Sequence, residues 1–193
     1  ATILFILALI GTVGMWSVVV FIPDIEKEFG LDRGTSSLLY AFTMIGFGFG
    51  TVVIGKVYDK FGIKKPILLA TFVLITSYYF YSIFPFYWQF LILQFFMGFA
   101  ASAFFGPAMA DISNFFNKQR GFALSIVASA NYVAGATWPL LIGYFLTFID
   151  WRVAHFWISI CLFIMIPLIL LLKNASVDES KFHDMKQRYK DIR

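Results

Sequence analysis

PILLATFVLITSYYFYSIFPFYWQFLILQFFMGFAASAFFGPAMA, Pro66 to Ala110, runs for 45 residues without one Asp, Glu, Lys or Arg. A helix rises 1.5 Å per residue and the hydrocarbon core of a bilayer is about 30 Å thick, so one crossing takes about 20 residues. The stretch is therefore two spans long. It divides near Pro85, where Ser82, Pro85 and Gln89 sit among aromatic residues, as at a tight turn on a membrane surface. Outward from it lie four further uncharged stretches of single-span length: Ala1 to Ile22, Gly34 to Gly55, Gly121 to Ile149 and Val153 to Leu172. Lipid offers no hydrogen bonds, so each has to be a helix. The reading is an all-α membrane protein with six transmembrane helices at about 1–22, 34–56, 66–84, 87–110, 120–148 and 153–172. Residues 174–193 follow as a cytoplasmic tail or the start of a linker.

Composition sets limits on function. The chain is 60% hydrophobic and 13% charged, against about 25% charged for a water-facing domain. A soluble enzyme, a nucleic-acid binder and a secreted disulfide scaffold are excluded. One cysteine, Cys161, permits no internal disulfide and no cysteine-based metal site; it reads as apolar filler, and His183 in the polar tail as solvated. No cofactor or metal is expected. The first stretch lacks the basic flank and small-residue cleavage site of a signal peptide. Without an initiator Met, it reads as a chain that starts part-way through its first helix.

Charge placement gives the orientation. Loops on one side hold Lys56, Lys60, Lys64, Lys65, Lys118, Arg120, Lys173, Lys181, Lys186, Arg188, Lys190 and Arg193; the other side holds Lys27, Arg33 and Arg152. Basic residues favour the cytoplasmic side. Both termini are then cytoplasmic, in a multi-pass protein of the plasma (inner) membrane. Aromatic residues at 78–88 form an interfacial belt. Helices in lipid meet through small residues, and Gly46 with Gly50 in span 2, and Gly121, Ala123, Ala128, Ala130, Ala134 and Gly135 in span 5, are placed for close approach. The string GFGFG is no nucleotide loop, because it lies mid-membrane with no strand before it.

The loop after span 2 reads GKVYDKFGIKKPILL, with Gly55, Asp59, Lys60, Gly62, Lys64 and Lys65 in fixed spacing. It resembles the G-x-x-x-D-[RK]-x-G-[RK]-[RK] signature of the major facilitator superfamily at the same loop. The resemblance implies the N-terminal six-helix half of a twelve-helix fold, with nested three-span repeats and a missing C-terminal half. It also implies that Gly55 admits another helix, that Asp59 faces a helix N-terminus and a basic partner, and that Gly62 makes the turn. An acid at the positive end of a helix dipole is favoured by about 0.3–1 kcal/mol, which suits a latch that opens and closes. Asp111 is a second candidate partner for Lys60, Lys64 or Lys65, whose other reading is contact with anionic lipid.

A narrower resemblance follows. FFNKQRGFALSIVASANYVAG, from Phe115 to Gly135, is similar to the start of span 5 in monocarboxylate and oxalate/formate-type carriers, and GMWSVVVFIPDIEKEFG, TWPLL and DWRVAHFW point the same way. It implies a small organic anion as substrate. The pattern departs in three places: Gln119 replaces a basic residue, Gln94 stands where many proton-coupled members carry Arg, and Trp138 precedes Pro139 where the antiporter pattern has Gly.

No Asp, Glu, Lys or Arg lies at mid-depth of a span, where ionisable groups mark ion pathways. Proton relay by this half alone is not expected. With spans 1, 2, 4 and 5 facing the central cavity by resemblance, the substrate-binding candidates are Trp16, Gln94, Asn131 and Tyr132. Gln94 and Asn131 read equally as interhelical glue, and Trp16 reads also, and somewhat more readily, as packing only. A carboxylate in low dielectric needs a countercharge, which the resemblance assigns to the second half. His155 reads as an external pH sensor or as an interfacial hydrogen-bonder.

The resulting expectation is a secondary active transporter working by alternating access, carrying an organic anion such as a mono- or dicarboxylate. The alternatives are a superfamily carrier for another solute, such as a sugar or drug, and a non-transporting receptor or scaffold. An enzyme is not expected, since the spans carry no paired carboxylates and no nucleophile beside a base.

Overall fold

The structure, a computed structural model, describes residues 2–115 and 120–172. The segment 174–193 and Lys118 lie outside the described residues, as does the side chain of Arg120.

Among the described residues, six helices are long and apolar enough to cross a membrane: α1 Thr2–Phe29, α2 Arg33–Phe61, α3 Lys64–Ile83, α4 Tyr87–Ser113, α5 Gly121–Leu146 and α6 Trp151–Leu170. The largest difference from the sequence-based bounds is at α1, which continues past Ile22 through Pro23 to Phe29. Uncharged length marks where hydrocarbon ends, whereas a helix goes on until its backbone bonds are capped. Here Gly30 supplies the stop, with φ 61° and its N–H bonded to the Glu26 carbonyl. Asp32 opens α2 by accepting the N–H groups of Gly34 and Thr35 at 2.9 and 3.2 Å. Near Pro85 the chain leaves the helix at Phe84 and resumes at Tyr87, with Gln89 Oε1 accepting the Phe86 N–H at 3.2 Å.

Three spans are interrupted, each for a local reason. Proline has no N–H and its ring presses on the carbonyl four residues earlier. Pro107 accordingly coincides with tightened i→i−3 bonds at 103–105 of α4, and Pro167 with the 3₁₀ turn Leu162–Ile164 of α6. In α1 the helix breaks at Thr12, whose hydroxyl bonds the Ala8 carbonyl at 2.8 Å. The breaks of α1 and α4 meet: Gly11 lies against the ring of Phe104, where any side chain would collide.

α2 packs most extensively on α4, α5 on α1, and α3 on both α4 and α6. Exchanging α1 with α4, α2 with α5 and α3 with α6 carries the pair α1–α5 into α4–α2 and leaves α3–α6 in place. The packing thus has the internal two-fold pattern of nested three-helix repeats. The α2–α4 seam is backbone on backbone. A methyl at Gly46 would strike the Phe95 carbonyl, one at Gly98 the Thr43 carbonyl, and one at Gly50 would lie 2.7 Å from the Phe99 carbonyl. Such closeness replaces the hydrophobic drive that lipid denies to helices. Span 5 uses fewer of its small residues this way: Ala123, Ala130 and Ala134 are buried, while Gly121 meets open space. α1 and α4 are the most enclosed helices, α2 and α5 the least.

Candidate functional site

The face between α1 and α5 brings two of the sequence candidates together. Trp16 donates its indole N–H to Asn131 Oδ1 at 3.1 Å. Its ring lies over Gly135, where a methyl would meet Cε2 and Cζ2 at 3.0 Å. One turn along, Trp138 reaches back to α1 and donates to the Leu9 carbonyl at 2.7 Å. Because Asn131 accepts through its oxygen, its NH₂ remains as a donor pair on a partly exposed surface. Tyr132 follows at 74% exposure, on the outside of the six-helix unit.

Gln94 is placed elsewhere. It is 1% exposed, accepts from the Thr43 hydroxyl of α2 at 2.9 Å and donates to the Tyr81 hydroxyl of α3 at 3.3 Å. Both ends of its amide are engaged between helices, which is the glue alternative rather than an open contact surface. Beside it runs an aromatic column that sequence reading missed. His155 stacks parallel to Tyr81 at 4.4 Å, lies 4.0 Å from Phe21, and has Nδ1 2.8 Å from the Trp151 carbonyl. It is buried rather than at a wet interface. Ser17 joins the same region through the Tyr78 hydroxyl at 2.6 Å. A bond of this kind in lipid contributes about 0.6 kcal/mol on average, so these bonds set register and the glycine seam carries the packing.

A second missed cluster ties the far ends of α1, α3 and α6. Arg152 bonds Glu28 Oε1 at 2.6 Å and the Phe84 carbonyl at 2.8 Å, with its guanidinium 4.4 Å from the Trp151 ring. Trp151 donates to the other Glu28 oxygen at 2.9 Å. Glu28 and Arg152 are 124 residues apart in sequence; no local spacing pairs them, and only their helix-end positions gave any signal. On the same side, Arg33 lies 3.8 Å from Glu26, and Tyr87 donates to the Thr35 carbonyl at 2.5 Å.

The α2–α3 loop has the geometry of a tight turn. Gly62 closes α2 with φ 74° and its N–H 2.8 Å from the Tyr58 carbonyl, a conformation that favours glycine. Asp59 is exposed and makes no ion pair among the described residues. Nothing stands within 4 Å of a methyl placed on Gly55, so no described helix uses the opening expected there. The expected pairing of Asp111 with Lys60, Lys64 or Lys65 is not formed among the described residues. The lysines are held elsewhere: Lys60 and Lys65 sit 5.3 and 4.3 Å from the Phe61 ring, and Lys64 reaches the Leu170 carbonyl at 3.4 Å. Asp111 itself is buried. No group of three or more His, Cys, Asp or Glu able to hold a metal occurs among the described residues.

The chain is 27% identical over 157 residues to an agnestins efflux protein from Paecilomyces divaricatus, covering 78% of this chain and 35% of that protein. It is 31% identical over 105 residues to the MFS transporter asaE of Aspergillus flavus, covering 54% and 23%. The chain thus spans about a third or less of these relatives. Among solved structures, the proton:xylose symporter XylE bound to 6-bromo-6-deoxy-D-glucose superposes with a TM-score of 0.75 at 13% identity, over 90% of this chain and 45% of that one, a likeness of fold. The family model of the Major Facilitator Superfamily matches residues 4–192, and the chain belongs to that family.

Proposed function

We propose that this chain is the N-terminal six-helix half of a twelve-helix secondary active transporter that works by alternating access. On this reading it moves a small organic anion, a mono- or dicarboxylate, across the plasma (inner) membrane, with both ends of the six-helix unit cytoplasmic. The observation that carries it is the Trp16–Asn131 pair: an amide turned so that its NH₂ is free, on a partly open face of α1 and α5. Two aimed N–H groups suit a carboxylate oxygen, and Tyr132 stands beside them. Gln94 supports the site as a spacer between α2, α3 and α4. No cation lies at mid-depth among the described residues, so the countercharge belongs to the second half. Gly55, Asp59, Lys60, Gly62, Lys64 and Lys65 form the latch on the cytoplasmic side, with Asp111 at the same end of α4. The least enclosed helices, α2 and α5, are the ones a second half would cover.

A second reading, export of a larger and less charged solute, draws on the similarity to an efflux protein. Counterflow in proteoliposomes with the full-length protein separates the two. Labelled formate, lactate, pyruvate or oxalate should exchange; uptake of labelled sugars without acids would defeat the anion while sparing the carrier, and exchange of none of these solutes would defeat the anion and leave the second reading standing.

A further inference from the structure

α3 and α6 pack side by side and run in opposite directions, since successive spans alternate. Each is 20 residues long, so the start of one lies beside the end of the other. The last carbonyls of a helix have no N–H partner of their own and carry the negative end of its dipole. A basic side chain in the last turn commonly answers them. Neither helix has one there. The neighbour supplies it instead. Arg152, the second residue of α6, donates to the Phe84 carbonyl at the end of α3 at 2.8 Å. Lys64, the first residue of α3, donates to the Leu170 carbonyl at the end of α6 at 3.4 Å. The exchange of α3 with α6 that maps the packing onto itself also carries one of these bonds onto the other.

We propose that Lys64 and Arg152 are reciprocal end locks that fasten α3 and α6 into one strut, with Lys64 as the positioning residue for the end of α6. Sliding one helix along the other strains both bonds, and splaying the pair at either rim breaks one. The locks are unequal. Arg152 is also held by Glu28 and its carbonyl bond is short, whereas the Lys64 bond is longer and exposed. The strut is therefore firm at the Arg152 rim and looser at the Lys64 rim. There Lys64 ties the α2–α3 loop to α6 and gives Asp59 and Lys65 a fixed base. That last role rests on the latch proposed above; the locks themselves do not.

The test is amide hydrogen exchange of the full-length protein in lipid nanodiscs, read by mass spectrometry of peptides covering 81–84, 143–146 and 168–172. Lys64→Gln should speed exchange at 168–172 about two- to fivefold, the change expected from losing a cation at a helix end. The end of α5, 143–146, should not change. Lys64→Arg should restore the slow rate. Arg152→Gln should speed exchange at 81–84 about tenfold or more, the change expected from losing a bond to a charged group. Should Arg152→Gln not fold, Arg152→Lys, which keeps the charge but not the planar fork, reads the same end. Unchanged exchange at 168–172 in Lys64→Gln or at 81–84 in the Arg152 variant, or a rise shared by 143–146, would overturn the proposal. Counterflow separates strut from latch: slow exchange at 168–172 in a Lys64→Gln protein that no longer transports would assign Lys64 to the latch alone.

Discussion

Asn131 and Gln94 carry the same amide, yet their surroundings separate them. Asn131 has a spare NH₂ on a partly open face; Gln94 has both ends bonded and is buried. Asn131→Ala should therefore weaken solute binding about tenfold or more, the loss of a bond to a charged group being worth about 1.5–3 kcal/mol, with little change in thermal midpoint. Gln94→Ala should do the reverse, since it strands Thr43 and Tyr81: a midpoint lower by several degrees, with solute affinity changed much less. Binding isotherms and thermal unfolding of the purified full-length protein check both, and equal loss of affinity in the two variants would contradict the separation. At the wet rim, the Thr35 hydroxyl and then the Thr35 and Gly34 N–H groups hold the Asp32 carboxyl below its usual range. A lowered folded-state value means that this cap is fully present above the ordinary carboxylate range and is lost as pH falls through the depressed one. A titration of the Asp32 carboxyl carbon by NMR should show it ionised to lower pH than Asp in a peptide. Residue types at depth were legible in sequence; which amide stays free was not, because that depends on a partner helix 51 or 115 residues away.

Glycines that look alike on the page divide at the level of the helix. Gly46, Gly50 and Gly98 form the α2–α4 seam, while Gly48 and Gly55 face open space. Gly98→Ala forces two backbones apart and should cost folding yield and several degrees of thermal midpoint. Gly55→Ala should leave the midpoint unchanged; if it abolishes transport as well, the neighbour it excludes comes from outside this unit. Fluorescence-detected size exclusion after a heat series reads both variants. The six helices were legible from runs of uncharged residues, since the bilayer's thickness fixes that length. Their breaks at 103–105 and at Leu162–Ile164 follow from Pro107 and Pro167, two signals present in the sequence but left unused. The Arg152 cluster was not legible, because its partners come from three helices with no common spacing.

Across the whole molecule, the proposed topology places residue 193 in the cytoplasm, and a reporter fused after Arg193 in the full-length frame should read out there; a signal from the opposite side would reverse the assignment. Asp59→Asn should impair transport more than surface expression, because Asp59 is exposed and has no ion-pair partner in its own half among the described residues. Equal loss of both would make it a folding element. The six-helix unit is sealed along α2–α4 by bare backbones and tied at one rim by Arg152, a packing that suits the rigid-body rocking of the proposed mechanism. An adjustable spot on its candidate binding face is where the Trp16 indole rests on Gly135. A single base change turns a glycine codon into an alanine codon, and the added carbon would displace that ring by a few tenths of an ångström. If the proposed site does bind the solute, descendants of this gene have a one-nucleotide path to a reshaped contact surface, with no need to rebuild the scaffold around it.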